Sequence, residues 1–259
     1  MSTSNERILN KLFEDSNTYI EKAINVNKEE FIKVVESRRS VRIYDDSQVE
    51  EKDMLKCLEL SLLSANSSNL QPWEFYWVKD LEKKNKLIDY CLGQPAAATA
   101  KELVVCVARP DNWKLNTQSM LDMFKDKELP QAVSTYYKKI VPLAYNQGFL
   151  GLFGFLKRIS TFFIGLKRPI PREPVSYNDM KIWAQKSTSL ACQTLMLSLR
   201  AFGYDSCPME GIDSCRIKKL LKLPKKAQIC MVISAGKRAS NGVYGKRFRL
   251  EKERFIKIV

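Results

Sequence analysis

The spacing of apolar and polar positions changes period several times along the chain, and each change marks an element. In EEFIKVVESRRS, Phe31, Val34 and Val35 fall on one face of a helix that runs into the basic stretch Arg38-Arg39-Ser40-Val41-Arg42. Residues 1–28 before it are polar and weakly periodic and predict a helical N-terminal extension to a domain spanning 29–259. From Asp53 to Leu63, Met54, Leu55, Leu58 and Leu62 keep an i, i+3, i+4 rhythm and predict a second helix. The Ser- and Asn-rich run from Ser64 to Pro72 predicts a loop without regular structure. Trp73 to Val78, Leu103 to Ala108 and Ile229 to Ser234 are short apolar or aromatic runs. The last two have the continuous character of strands covered on both faces. Asp179 to Phe202 predicts the longest helix, with Ser176 and Asp179 spaced as a capping box and Gly203 as its stop. Strands separated by helical stretches favour an α/β or α+β sandwich.

One segment does not fit a simple amphipathic pattern. Phe149 to Leu166 is the most apolar stretch of the chain, interrupted by Lys157 and Arg158. That interruption argues against a transmembrane helix. Phe149, Leu152, Phe153, Leu156 and Phe163 can share one helical face, while Leu150, Phe155 and Phe162 make the other face apolar as well. Such a helix needs cover, and packing in a lid or against another subunit is expected ahead of contact with a membrane interface through 149–166.

Composition narrows the chemistry. The 259 residues include no histidine, which excludes Ser-His-Asp and Cys-His catalysis and histidine-ligated zinc. With 43 Lys and Arg against 29 Asp and Glu, the formal net charge of +14 points to anionic partners: nucleic acid, a membrane surface or a phosphorylated small molecule. Seven cysteines, none in a C-x-x-C pair, read as reduced thiols, with Cys106 and Cys230 inside buried strands. The N-terminus has no apolar core of a secretory signal, and a cytoplasmic location is expected.

Four stretches carry candidate chemistry. Arg38-Arg39-Ser40-Val41-Arg42 at a helix end can splay guanidinium groups toward a phosphate, or simply complement the helix dipole. Arg247 and Arg249, two apart in an extended segment, project to one side and can close on the same phosphate or belong to a solvated basic tail. Ser67, Ser68, Asn69 and Gln71 supply hydroxyls and amides suited to a heteroaromatic edge or a polyol, or to an ordinary turn. Cys207 to Asp213 reads as a tight loop beyond the long helix, where Gly211 permits close backbone approach or a positive φ.

Taken in order, RRSVR, SANSSNLQPWEF, ACQTLMLSLRAFGYDSCPMEGID and GKRFR resemble the nitroreductase family of FMN-dependent flavoproteins, from about residue 30 to the C-terminus. The resemblance implies an α+β fold, an α/β sandwich whose central, mostly antiparallel sheet is flanked by helices. It also implies an intertwined homodimer in which the C-terminal Phe255 to Val259 adds a strand to the partner's sheet. Arg38, Arg39, Ser40 and Arg42 would bind the phosphate, ribityl chain and pyrimidine edge of FMN, joined on the phosphate by Arg247 and Arg249. Pro208, Met209, Glu210 and Gly211 would form the turn under the flavin, with the amides of Glu210 and Gly211 near N5 and O4. Ser67, Ser68, Asn69 and Gln71 would reach the flavin of the other subunit. Asn66 stands where many relatives have proline, and about 110–175 is the stretch that in this family covers the flavin and sets substrate choice.

The implied activity is hydride transfer from NAD(P)H to an oxidised small-molecule acceptor, a nitroaromatic, a quinone or similar, by a ping-pong mechanism with no side chain as strong acid or base. NAD(P)H would bind transiently, since the chain has no G-x-G-x-x-G. Reductive dehalogenation and flavin fragmentation on the same fold stay open, as does a non-enzymatic basic protein binding nucleic acid or a membrane. Dispersed lysines and the lack of a nucleic-acid motif argue against a nucleic-acid partner.

Overall fold

A computed structural model describes residues 21–124 and 131–259. The part of the expected N-terminal helix that lies in residues 1–20 falls outside the described residues. Residues 21–27 have no regular structure, so the expected helix is not there, and α1 (Lys28–Ser37) starts only at Lys28. The reason is local. The Asn27 side chain accepts from the N–H groups of Glu29 and Glu30 and caps the helix where it stands. None of the residues of α1 is buried, and the apolar face formed by Phe31 and Val35 has no cover among the described residues.

Four strands form one sheet in the order β1-β2-β4-β3: β1 (Trp73–Trp77), β2 (Glu102–Ala108), β3 (Asp205–Met209) and β4 (Gln228–Gly236). All three pairings are antiparallel. Period-two alternation divides the central strands between two cores. On one face Leu103, Val105 and Val107 meet Val41, Leu87 and Ile217. On the other, Val104, Cys106 and Ile233 meet Cys192, Leu195 and Leu199. Sheet with helices on both faces is the architecture expected of runs buried on both sides.

The helix that closes the second face is α8 (Tyr177–Ala201), the longest in the chain. Ser176 Oγ accepts from the Asp179 N–H, while the Asp179 carboxylate accepts from the N–H of Val175 rather than of Ser176. Both ends of a capping box are therefore present, with the return bond displaced by one residue. Gly203 at φ +85° ends the helix as expected. Against α8 lies α2 (Glu51–Leu62), burying Met54 and Cys57. The first face is covered by α3 (Leu81–Tyr90), the short α4 (Pro95–Ala98) and α9 (Ser214–Leu220).

One expectation is corrected here. Cys207, Pro208 and Met209 are not in a loop but in β3, an edge strand. Proline is tolerated there because an edge strand leaves one row of N–H groups without a ladder partner. Gly211, in the turn that follows, does not adopt a positive φ.

Between β2 and α8 the chain makes α5 (Trp113–Asp122), α6 (Gln131–Tyr145) and α7 (Leu152–Gly165). The middle of α6, Tyr136–Ile140, is wound as a π-helix. The apolar segment is not buried by the described residues. Gly148 and Gly151 take positive φ, so the helix begins at Leu152 and Phe149 and Leu150 lie on the break before it. Phe153 then turns inward, and Leu152, Phe155, Leu156, Ile159, Phe162, Phe163 and Leu166 form a single outward stripe. The inward face carries Gly154, buried, and Lys157, whose ammonium donates to the carbonyls of Ala144 (2.7 Å) and Pro174 (3.0 Å). Burial pushes Lys157 down to about 8. This helix is amphipathic with its apolar side turned out, not apolar all round.

Candidate functional site

A concave patch at the β3 edge is built by two segments far apart in sequence. Val41 donates to the Ser206 carbonyl and Ser40 bridges Ser206, which fastens the basic run to β3. The Arg42 N–H donates to the Gly242 carbonyl at 2.7 Å, bringing in the C-terminal segment. Side chains then cross over: Arg39 donates to the Gly245 carbonyl and Arg247 to the Arg38 carbonyl. Arg42 lies over the Tyr244 ring, 5.6 Å from its centroid.

The resulting cavity, about 240 Å³, is lined by Arg38, Arg39, Ser40, Arg42, Lys246, Arg247 and Arg249 together with Val243, Tyr244, Gly245 and Phe248. It holds six cationic side chains and no carboxylate. Burial, and after it the like charges of Arg247 and Arg249, lower the Arg38 pKa from its ordinary value. The one thiol against the cluster, Cys207, supplies no anion either, because burial raises its pKa and outweighs the pull of Arg42 and Arg38. A group of like charges held together with no internal counter-ion fits a polyanionic ligand such as a phosphate monoester.

From Ser206 the strand leads to the Pro208–Gly211 stretch. Met209 is buried in the core, so only its backbone is available to a ligand, and Pro208 is half-buried. Glu210 and Gly211 are exposed. The turn is pinned from outside: Gln94 Nε2 donates to the Gly211 carbonyl at 2.8 Å and to the Cys91 carbonyl at 3.0 Å, and the Asp213 N–H donates to Tyr90. Among the described residues, the Gly211 N–H has no acceptor, which leaves it open toward a ligand.

The polar loop is a single 3-10 turn at Ser67–Asn69, with Ser68, Asn69 and Gln71 all at positive φ. Three non-glycine residues in that region within four positions are a local strain that the surroundings must hold. Tyrosines of α6 hold it. Ser67 Oγ lies 2.8 Å from the Tyr145 hydroxyl, Ser68 Oγ lies 2.7 Å from that of Tyr136, and Tyr137 donates to the Ser68 carbonyl. Asn66 Oδ1 accepts from the Gln71 N–H. The side chains of Asn69 and Gln71 stay exposed.

Within one chain these parts do not meet. The loop precedes β1, one edge of the sheet, at the end where Trp73 pairs Ala108. The arginine cavity sits on β3, the other edge, at the end where Asp205 pairs Gly236. The structure therefore unites Arg38, Arg39, Ser40, Arg42, Arg247 and Arg249, connects them by β3 to Pro208, Met209, Glu210 and Gly211, and sets Ser67, Ser68, Asn69 and Gln71 apart. Gln94, Tyr244 and the α6 tyrosines were not singled out from the sequence. Their roles come from tertiary proximity, as with Gln94 and Gly211, 117 positions apart, and no local spacing announces them.

The chain is similar to known proteins over most of its length. The model of the nitroreductase family matches residues 35–237. A Bacillus subtilis protein bearing the name NAD(P)H nitroreductase YdgI is 25% identical over 228 residues, covering 87% of this chain and 97% of the relative. The NADH dehydrogenase of Thermus thermophilus is 27% identical over 215 residues, 83% of this chain and 90% of that one. Among solved structures, a nitroreductase-type chain from Exiguobacterium sibiricum in complex with FMN superposes with a TM-score of 0.64 at 22% identity, covering 92% of this chain and 99% of its own.

Proposed function

The chain belongs to the nitroreductase family, and from that premise we propose that it takes hydride from NAD(P)H and delivers it to an oxidised acceptor, a nitroaromatic, a quinone or a similar molecule, at a site shared by two copies of the chain. The enzyme is an FMN-dependent oxidoreductase with NAD(P)H as its reductant. FMN, when bound, would supply the hydride acceptance and donation that no protein side chain provides.

The observation that carries this reading is the cavity of six cations without a carboxylate. Arg38, Arg247 and Arg249 would hold the phosphate, Arg39 and Ser40 the adjoining chain, and Arg42, fixed against Tyr244, the pyrimidine edge. A guanidinium at that edge favours negative charge there, and the open N–H of Gly211 offers a hydrogen bond whose position Gln94 maintains. These are positioning and electrostatic roles, and none requires a proton transfer by a side chain.

Two features support the pairing of two copies. The loop carrying Ser67, Ser68, Asn69 and Gln71 lies at the opposite edge of the sheet from the arginines, so one chain alone holds only part of the site. The C-terminal segment, with Phe255, Ile256, Ile258 and Val259 exposed, and the uncovered α1 are apolar surfaces that an exchanged strand and a facing subunit would bury. NAD(P)H and the acceptor would occupy the same face in turn.

The test is steady-state kinetics of the FMN-reconstituted protein across an acceptor panel. Parallel double-reciprocal lines at varied acceptor are expected. Intersecting lines would contradict alternate occupancy, and lack of NAD(P)H oxidation with every acceptor would contradict the activity.

A further inference from the structure

The outward stripe of α7 contributes no residue to the arginine cavity and has no cover among the described residues. At about 100° per residue its seven apolar positions span an arc of about 120°, the width of a helix face that packs against something. Polar and small residues, Gly154, Lys157 and Thr161, occupy the side turned to the protein. The break before the helix adds Phe149 and Leu150, 85% and 84% exposed. No single helix among the described residues is long and apolar enough to cross a membrane, and α6 with Phe149–Gly165 reaches that length only as a pair bent by 67°. The geometry is that of a helix lying on a surface, not through one.

Charge selects the surface. Residues 131–172 contain seven Lys and Arg and no Asp or Glu, half of the formal net charge of the whole chain in one stretch. Arg158 flanks the apolar stripe, and Lys167 and Arg168 follow its end, all exposed. Beside it opens a cavity of about 980 Å³ that shares Phe149 and Leu150 with the patch and is rimmed by Lys114, Lys181, Lys225 and Lys226. A second copy meeting this face about a two-fold axis would bring the same cations together, an arrangement that like-charge repulsion opposes. An anionic bilayer answers both features, taking the apolar stripe among its acyl chains and the cations at its headgroups.

We propose that α7 and the Phe149–Gly151 turn dock the enzyme onto the surface of an anionic phospholipid membrane, with the stripe of Phe155, Leu156, Phe162 and Phe163 inserted at the interface. None of the residues lining the arginine cavity belongs to α7. Docking would bring the cavity rimmed by Lys114, Lys181, Lys225 and Lys226 to the headgroup level.

Vesicle flotation of the purified full chain tests this, using vesicles of equal parts phosphatidylglycerol and phosphatidylcholine beside vesicles of phosphatidylcholine alone. The protein is expected to float with the anionic vesicles, and to be released as salt rises. Phe155→Glu with Phe163→Glu should weaken binding roughly tenfold or more. Both positions are exposed, so thermal unfolding should match wild type. A second variant, Arg158→Ala with Lys167→Ala and Arg168→Ala, leaves the stripe intact and should lose the preference for anionic vesicles. Failure of wild type to float, or equal flotation of the Glu variant, would overturn the proposal. So would a fall in molar mass caused by the Glu substitutions in a protein that never binds vesicles, which would make the face a contact between copies.

Discussion

Arg38 shows most directly how a residue's surroundings reveal a missing partner. Its pKa is lowered by burial and by Arg247 and Arg249, which means that the chain holds these charges close at a cost and that an anion would relieve it. The consequence separates binding from stability. Arg249→Ala should leave the melting temperature of the flavin-free protein unchanged or higher, because a like charge is removed. The same variant should bind FMN about 10- to 100-fold more weakly, the range for losing a charge-assisted hydrogen bond. Calorimetry of the free protein beside an FMN titration checks both signs. RRSVR and KRFR announced this cluster in the sequence, since arginine pairs at close spacing are visible locally. Gln94 and Tyr244 were not visible, because each acts on a residue that only the fold brings near.

Lys157 gives a second residue-scale test. Its folded pKa, about 8, lies below the unfolded value, so the folded state binds fewer protons between those two values. Its contribution is therefore unfavourable below about pH 8 and is relieved as pH rises toward the unfolded lysine pKa. Urea unfolding of wild type and Lys157→Met across pH 7 to 10, roughly the interval between the two pKa values, should show wild type gaining stability relative to the variant as pH rises. A difference that stays flat would place Lys157 in solvent.

Among the elements, α7 is the least legible in the sequence. Its apolar residues were clear in the sequence, but which of them share a face depends on where the helix starts, and Gly148 and Gly151 set that start at Leu152. The inward side is tight: a Cβ on Gly154 would run into the Gln147 side chain and the Val175 carbonyl. Gly154→Ala should therefore destabilise the protein by about 1–3 kcal/mol by pushing α7 away from the Val175 backbone, measurable as a lower denaturation midpoint. The long helix was the easiest element, because Ser176, Asp179 and Gly203 mark its ends with local chemistry. Ser176→Ala should cost about 1 kcal/mol with no effect on FMN affinity. The β3 strand lay between these cases: proline and glycine near each other read as a loop, and only the edge position makes Pro208 compatible with a ladder.

For the whole molecule, three of the four strands are legible as apolar runs with helices between them, while their antiparallel pairing was implied by the family resemblance and not by the pattern. What it could not carry is the separation of the serine-asparagine loop from the arginine cavity across the sheet, since strand order is not written in any one segment. That separation is why the proposed site needs two chains. Light scattering should give a molar mass twice the 29.9 kDa of one chain. Removing the segment after Leu250 should shift it toward the monomer and lower FMN retention together. A truncated protein that kept its mass and its flavin would show that the exposed tail is not exchanged.

The central claim is that the arginine cavity holds the phosphate of FMN, and the visible absorption of the purified protein after reconstitution with FMN and removal of excess cofactor tests it most directly. A flavin spectrum at one FMN per chain, lost when Arg38 and Arg247 are both replaced by alanine in a protein that still folds, is the predicted result. A wild-type protein that returns colourless from reconstitution, or a double variant that keeps full flavin content, would contradict it.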